Sequence, residues 1–206
     1  MRNKLVMKLL LSLTMIGLVI ANPIKSEAKV SINAGSGMFI PSSGGDNGGI
    51  FKAGLDFAVG SHFIVGGYLR YKTLKTTFFD VENVGINSYG FIVESKYLLT
   101  KTKVQPYIGV GLGYAAYTYE EDVVKKGLLK KYGKPATPEN SVATSIVVTG
   151  LFGVNFNVSS HLTLFTELKY EGDFAATELK NNSGNNNINF ENLGGFSPMA
   201  GLRITF

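Results

Sequence analysis

The chain has 206 residues, enough for one domain of about 100–200 residues plus a leader but not for two large domains. It contains no cysteine, which excludes disulfides, thiolate metal sites and cysteine nucleophiles. Of the formal charge of +5, three positive charges belong to the first 28 residues, where Arg2, Lys4, Lys8 and Lys25 oppose Glu27. The remainder carries only +2, so basicity gives no argument for nucleic acid.

The N-terminus reads as an export signal. Arg2, Lys4 and Lys8 form a positive region, and Leu9 to Ile20 form an apolar run too short to span a bilayer comfortably. Small residues at Ser26 and Ala28 match the spacing of a signal-peptidase site, so cleavage is placed after Ala28, with Val19 and Ala21 as the second choice. The expected organisation is therefore a cleaved signal peptide over 1–28 and one domain over 29–206.

No later stretch resembles a transmembrane helix, because glycine, charge or polar side chains interrupt every apolar run. Eight runs of period-two alternation appear instead, near 30–40, 50–59, 62–72, 86–99, 104–118, 142–156, 162–171 and 196–206. The joints at 60–61, 100–103 and 157–160 are tight. Those at 41–49, 73–85, 119–141 and 172–195 are long. This alternation of short and long joints predicts an all-β, eight-stranded, antiparallel up-and-down transmembrane β-barrel, with short periplasmic turns and long extracellular loops.

Within the runs the two faces differ sharply. Phe51, Leu55, Phe57, Leu69, Phe91, Val110, Leu112, Phe152, Leu164 and Leu168 share one parity with no charge among them. The other parity carries Lys52, Asp56, Arg70, Glu94, Lys96, Glu167, Lys169 and Arg203 among glycines such as Gly54, Gly66, Gly111, Gly153 and Gly201. A soluble lipocalin-like barrel would turn the apolar face inward. An eight-stranded barrel has an interior only just wide enough for side chains, so the glycine-rich face suits the lumen and the Phe-rich face suits lipid.

The chain ends on Leu202-Arg203-Ile204-Thr205-Phe206, alternating to a final aromatic. This resembles the terminal-strand signal that the barrel-assembly machinery reads, with Leu202, Ile204 and Phe206 as its side chains. The stretch Gln105-Pro106-Tyr107-Ile108-Gly109-Val110-Gly111-Leu112-Gly113-Tyr114 resembles the Pro-Tyr-x-Gly-x-Gly-x-Gly strand of small outer-membrane barrels, and Glu167 matches their inward acid in the penultimate strand. On these residues the chain resembles the porin-family group that includes the OmpA transmembrane domain and OmpX-like proteins. The resemblance implies an outer-membrane location in a Gram-negative-type bacterium and a structural or surface-contact role. The peptidoglycan-binding domain of full-length OmpA proteins has no counterpart here, so cell-wall tethering is not implied.

Asp56, Glu94, Lys96, Glu167, Lys169 and Arg203 are the candidate site, expected to pair in the lumen because an isolated buried charge is costly. A lumen plug is favoured over a gated narrow pore. His62 and His161, with Ser61, Ser159 and Ser160 nearby, supply the only imidazole chemistry, but they fall at tight turns on the periplasmic rim, away from the outer leaflet where lipid A-modifying barrels act. The expectation is a non-enzyme with no catalytic residue, metal or cofactor. Lys125, Lys126, Lys130, Lys131 and Lys134, around Leu128 and Leu129, could form a short helical turn that contacts lipopolysaccharide phosphates or a host polyanion. Asn181 to Asn192 reads as a variable surface loop. Expected partners are outer-membrane lipid and lipopolysaccharide, the barrel-assembly machinery and a host surface ligand, with the protein a monomer.

Overall fold

The computed structural model describes residues 29–42, 45–78, 81–132, 142–175 and 193–206. The proposed signal segment and the Asn-rich stretch lie outside them. Eight strands, β1 (Val30–Pro41), β2 (Gly48–Val59), β3 (Phe63–Phe78), β4 (Val81–Leu98), β5 (Val104–Tyr119), β6 (Val142–Asn157), β7 (Leu162–Ala175) and β8 (Gly195–Thr205), pair in sequence order as one closed antiparallel barrel. Closure comes from β1 against β8, in register from Ser31 opposite Thr205 to Pro41 opposite Gly195. Phe206 adds a last rung by donating its N–H to the Val30 carbonyl at 2.9 Å. No helix among the described residues is long and apolar enough to cross a membrane.

Closure leaves no strand edge, so the backbone groups of each strand have neighbours on both sides. That is the condition a sheet must meet in hydrocarbon. Side chains sort as the alternation requires: Leu55, Phe91, Val110, Leu112, Phe152, Leu164 and Leu168 are all exposed, while Lys52, Glu94, Glu167 and Lys169 are buried. In water such an exterior would be an apolar patch far larger than soluble monomers carry. Exposed aromatics ring both ends of the wall, Phe57, Phe63, Tyr97 and Phe156 at the short-turn end and Tyr71, Tyr89, Tyr114 and Tyr170 at the other. Along β3, Phe63 to Tyr71 is nine residues, which matches the about 9–11 that a tilted strand needs to cross a bilayer.

One expected joint is overturned. Residues 73–78 and 81–85 are not part of a long loop but the upper ends of β3 and β4, with Thr73 opposite Asn87, Lys75 opposite Gly85 and Phe78 opposite Val81. The pattern hid it because the faces exchange character there: Leu74, Val84 and Ile86 point inward while Thr73, Lys75, Gly85 and Asn87 take the outer face, as befits a segment rising above the apolar wall. The register shifts between Thr76 and Phe78, near Asn83, the one non-glycine with positive φ (61°) among the described residues. β7 likewise continues four residues beyond its expected end, to Ala175. The joint between β5 and β6 opens with a helix, α1 (Glu121–Tyr132).

Inward glycines exist to let large neighbours in. A Cβ on Gly153 would stand 2.4 Å from the Tyr107 ring, and one on Gly201 would stand 2.5 Å from the Phe165 ring. Gly60, at φ +70°, makes the tight β2–β3 turn, a conformation that costs other residues. The outward face makes the opposite demand. Val110, 66% exposed near mid-wall, when replaced by Arg should destabilise the barrel by about 2–4 kcal/mol. Reversible urea unfolding in phospholipid vesicles measures that loss, and an unchanged midpoint would contradict lipid contact at this residue.

Candidate functional site

Inside the cylinder the side chains form three layers. At the short-turn end Ile64, Leu98, Tyr107 and Leu151 make an apolar floor. At the long-loop end Phe39, Ile50, Leu74, Val84, Ile86 and Tyr119 make an apolar ceiling, which α1 extends with buried Val124. Between them lie charges.

The central cluster joins residues of β2, β4 and β7 across the lumen. Lys52 donates to Glu167 Oε1 at 2.6 Å and lies 3.8 Å from Glu94. Lys169 donates to Glu94 and lies 3.6 Å from Glu167. Lys96 lies 3.5 Å from Glu94 and 4.0 Å from Glu167. Tyr107 Oη, inserted over Gly153, donates to Glu167 Oε2 at 3.0 Å. Each glutamate is thus within ion-pair reach of all three lysines. A tyrosine links this group to the next pair: Lys96 Nζ donates to Tyr68 Oη at 2.7 Å, Tyr68 donates to Asp56, and Arg203 Nε donates to Asp56 Oδ2 at 2.8 Å. All six residues of the sequence-derived candidate site therefore lie in one connected set.

A second tier, towards the long-loop end, was not part of that candidate site. Arg70 donates to Glu171 and, at 2.6 Å, to Ser88 Oγ. Lys72 donates to Asp173 Oδ2 at 3.0 Å, lies 3.5 Å from Glu171, and sits 4.0 Å over the Phe39 ring. The signal for this tier was present: Glu167, Lys169, Glu171 and Asp173 recur at every second position. Ending the seventh run at residue 171 assigned Asp173 to a loop and hid the continuation.

The side chains of these ion pairs are at most 7% exposed. Six cations, Lys52, Arg70, Lys72, Lys96, Lys169 and Arg203, face five carboxylates, Asp56, Glu94, Glu167, Glu171 and Asp173. Stripping one member strands its partners in a buried site, which costs about 3–5 kcal/mol. Glu167→Leu should therefore lose about that much stability, whereas Lys52→Met combined with Glu167→Leu should recover part of it. Unfolding midpoints of these two variants and of Lys52→Met alone, in vesicles, test this, and strictly additive losses would show that Lys52 and Glu167 are not coupled.

The remaining candidates sit at the ends. On α1, Lys126 and Lys130 are exposed, as are Val123 and Leu129, while Lys125 is half-buried. Lys131 falls within α1, but its side chain is outside the described set, as is Lys134. Leu202, Ile204 and Phe206 point outward along β8. At the short-turn end Ser61 Oγ and His62 Nδ1 are 2.9 Å apart, as are Ser160 Oγ and His161 Nδ1. His62 also stacks on Tyr97 at 5.7 Å. Among the described residues neither imidazole pairs with a carboxylate, and no His, Asp or Glu group could hold a metal ion.

No protein-family model matches the sequence, and no curated protein matches it. Solved structures do. Outer membrane protein OprG from Pseudomonas aeruginosa is similar over 87% of this chain and 96% of its own, with a TM-score of 0.59 and 13% identity. Neisserial surface protein A is similar over 88% and 98%, with a TM-score of 0.55 and 18% identity. Ail, the attachment invasion locus protein of Yersinia pestis, in complex with the heparin analogue sucrose octasulfate, is similar over 88% and 100%, with a TM-score of 0.50 and 12% identity. At these identities the likeness is one of fold, and the fold of this chain is that of the small eight-stranded outer-membrane β-barrels.

Proposed function

We propose that this protein is an integral barrel of a Gram-negative-type outer membrane, non-enzymatic, whose lumen is a structural plug and whose working surface is its long-loop end. The observation that carries this is the combination of an uninterrupted apolar outer wall with a lumen closed by two tiers of ion pairs between apolar layers. An open pore would need a continuous wet path. Here Ile64, Leu98, Tyr107 and Leu151 meet at one end, and the Phe39 cluster meets at the other. The exposed residues Leu202, Ile204 and Phe206 are the ones the barrel-assembly machinery would read during insertion of a monomer. In planar bilayers of phospholipid the folded protein is expected to give no stepwise current. Reproducible single-channel steps would replace the plug with the narrow-pore alternative.

Surface contact is the specific role this geometry favours. Helix α1 stands on the long-loop rim, anchored by Val124, and displays Lys126 and Lys130 outward. Such a face suits lipopolysaccharide phosphates or a sulfated polysaccharide, and the Ail structure with a heparin analogue supplies a precedent on the same fold. Lys126→Glu with Lys130→Glu should elute from a heparin column at clearly lower salt than the parent protein, since the attraction is screened within about 8 Å at physiological ionic strength. Identical elution would remove α1 from the contact surface.

A further inference from the structure

On the outer wall at the long-loop end, directly above the exposed Tyr71–Tyr89 pair, lies a recess of about 390 Å³ lined by Asp46, Asn47, Thr73, Lys75, Asn87 and Glu120. That volume lies within the about 300–1,000 Å³ of small-ligand sites. Gly85 helps to leave the space open: a Cβ there would come within 2.9 Å of the Glu120 carboxyl carbon. The walls are held by the sheet. Asp46 N–H donates to the Lys75 carbonyl at 2.9 Å, and Glu120 N–H donates to the Gly85 carbonyl at 3.2 Å. Gly85 N–H returns a bond to Glu120 Oε2 at 3.3 Å. Tyr71 Oη donates to Asn87 Oδ1 at 3.0 Å, which orients that amide. Gly49 N–H donates to Thr73 Oγ1 at 3.1 Å, leaving the hydroxyl hydrogen for another acceptor.

Charge and height on the wall select the ligand. Two carboxylates, Asp46 and Glu120, oppose the one ammonium of Lys75. The recess is therefore net negative and unsuited to phosphate or sulfate, unlike α1. Carboxylate, amide and hydroxyl groups together accept and donate the hydrogen bonds that adjacent hydroxyls of a sugar offer. The tyrosine pair beneath supplies an apolar surface with polar tips, at the height where hydrocarbon gives way to headgroups. We propose that this recess binds a sugar ring, neutral or amine-bearing, at the membrane surface. The recess takes its height from the outer-membrane reading above. The sugar could belong to a glycolipid headgroup of the surrounding leaflet or to a free saccharide.

Two probes separate those sources: a free glucosamine disaccharide added to the full chain folded in detergent micelles, and a glucosamine-headed glycolipid in phosphatidylcholine nanodiscs holding the protein. Titration calorimetry should detect at least one of them. Asn87→Leu or Gly85→Val should weaken binding at least tenfold, and Asp46→Ala should weaken an amine-bearing probe most. The unboiled gel migration of each variant should remain that of the folded barrel. Binding of the glycolipid alone assigns the site to the leaflet, and binding of the free disaccharide assigns it to solvent. Absence of binding by folded protein, undiminished binding by all three variants, or equal binding of phosphatidylglycerol would each overturn the proposal. A chain that folds in micelles but does not enter nanodiscs would instead contradict the outer-membrane reading, and the disaccharide titration would still decide the recess.

Discussion

Eleven charged side chains buried inside one narrow cylinder are tolerable only because each has an ion-pair partner there. Unpaired, any of them would cost several kcal/mol of desolvation, and a few would unfold a marginally stable domain. This constraint reaches the rest of the structure. It requires lumen-facing glycines, since a Cβ on Gly66 would strike the Asp56 carboxylate and one on Gly111 would crowd Thr149 and Glu94. It recruits Tyr68 and Tyr107 as donors that occupy remaining carboxylate oxygens. Apolar clusters bound the charged layer at both ends.

The exterior follows from the same inversion. With the charged groups turned inward and the backbone closed on itself, the wall carries no charge that needs water, and the aliphatic and aromatic face can meet hydrocarbon without penalty. Pairing charges inside does not by itself add much stability over a well-packed apolar core. What it offers is specificity. A strand shifted by one residue would turn Lys52 or Glu94 into lipid and leave its partners stranded, so the network penalises wrong registers.

Above the aromatic ring the physics changes, because water returns. The β3–β4 hairpin there carries Thr73, Lys75 and Asn87 on the face that lower down carries Leu69, Tyr71 and Tyr89, and α1 displays lysines. Two surfaces of opposite electrostatic character result, a cationic helix and a net-negative recess. They would serve different chemistries on the same rim.

Period-two alternation by itself determined the number of strands, their order, and which side chains face lipid or lumen, because a strand's geometry ties face to parity without reference to any other residue. It lost its grip where the faces changed character: around Leu74, Val84 and Ile86 the apolar side chains turn inward and the polar Thr73, Lys75 and Asn87 outward, and beyond residue 171 only Phe174 still marks the outer face. Partner choice in the lumen was another matter. Lys52 meets Glu167 from 115 positions away, and Lys72 meets Asp173 from 101. Neither pair lies on adjacent strands, so only closure of the barrel, with its tilt and stagger, decided which charge reaches which. The recess is likewise tertiary: Asp46 and Glu120 come from different joints and meet at the hairpin because β2 and β5 flank β3 and β4 in the closed sheet.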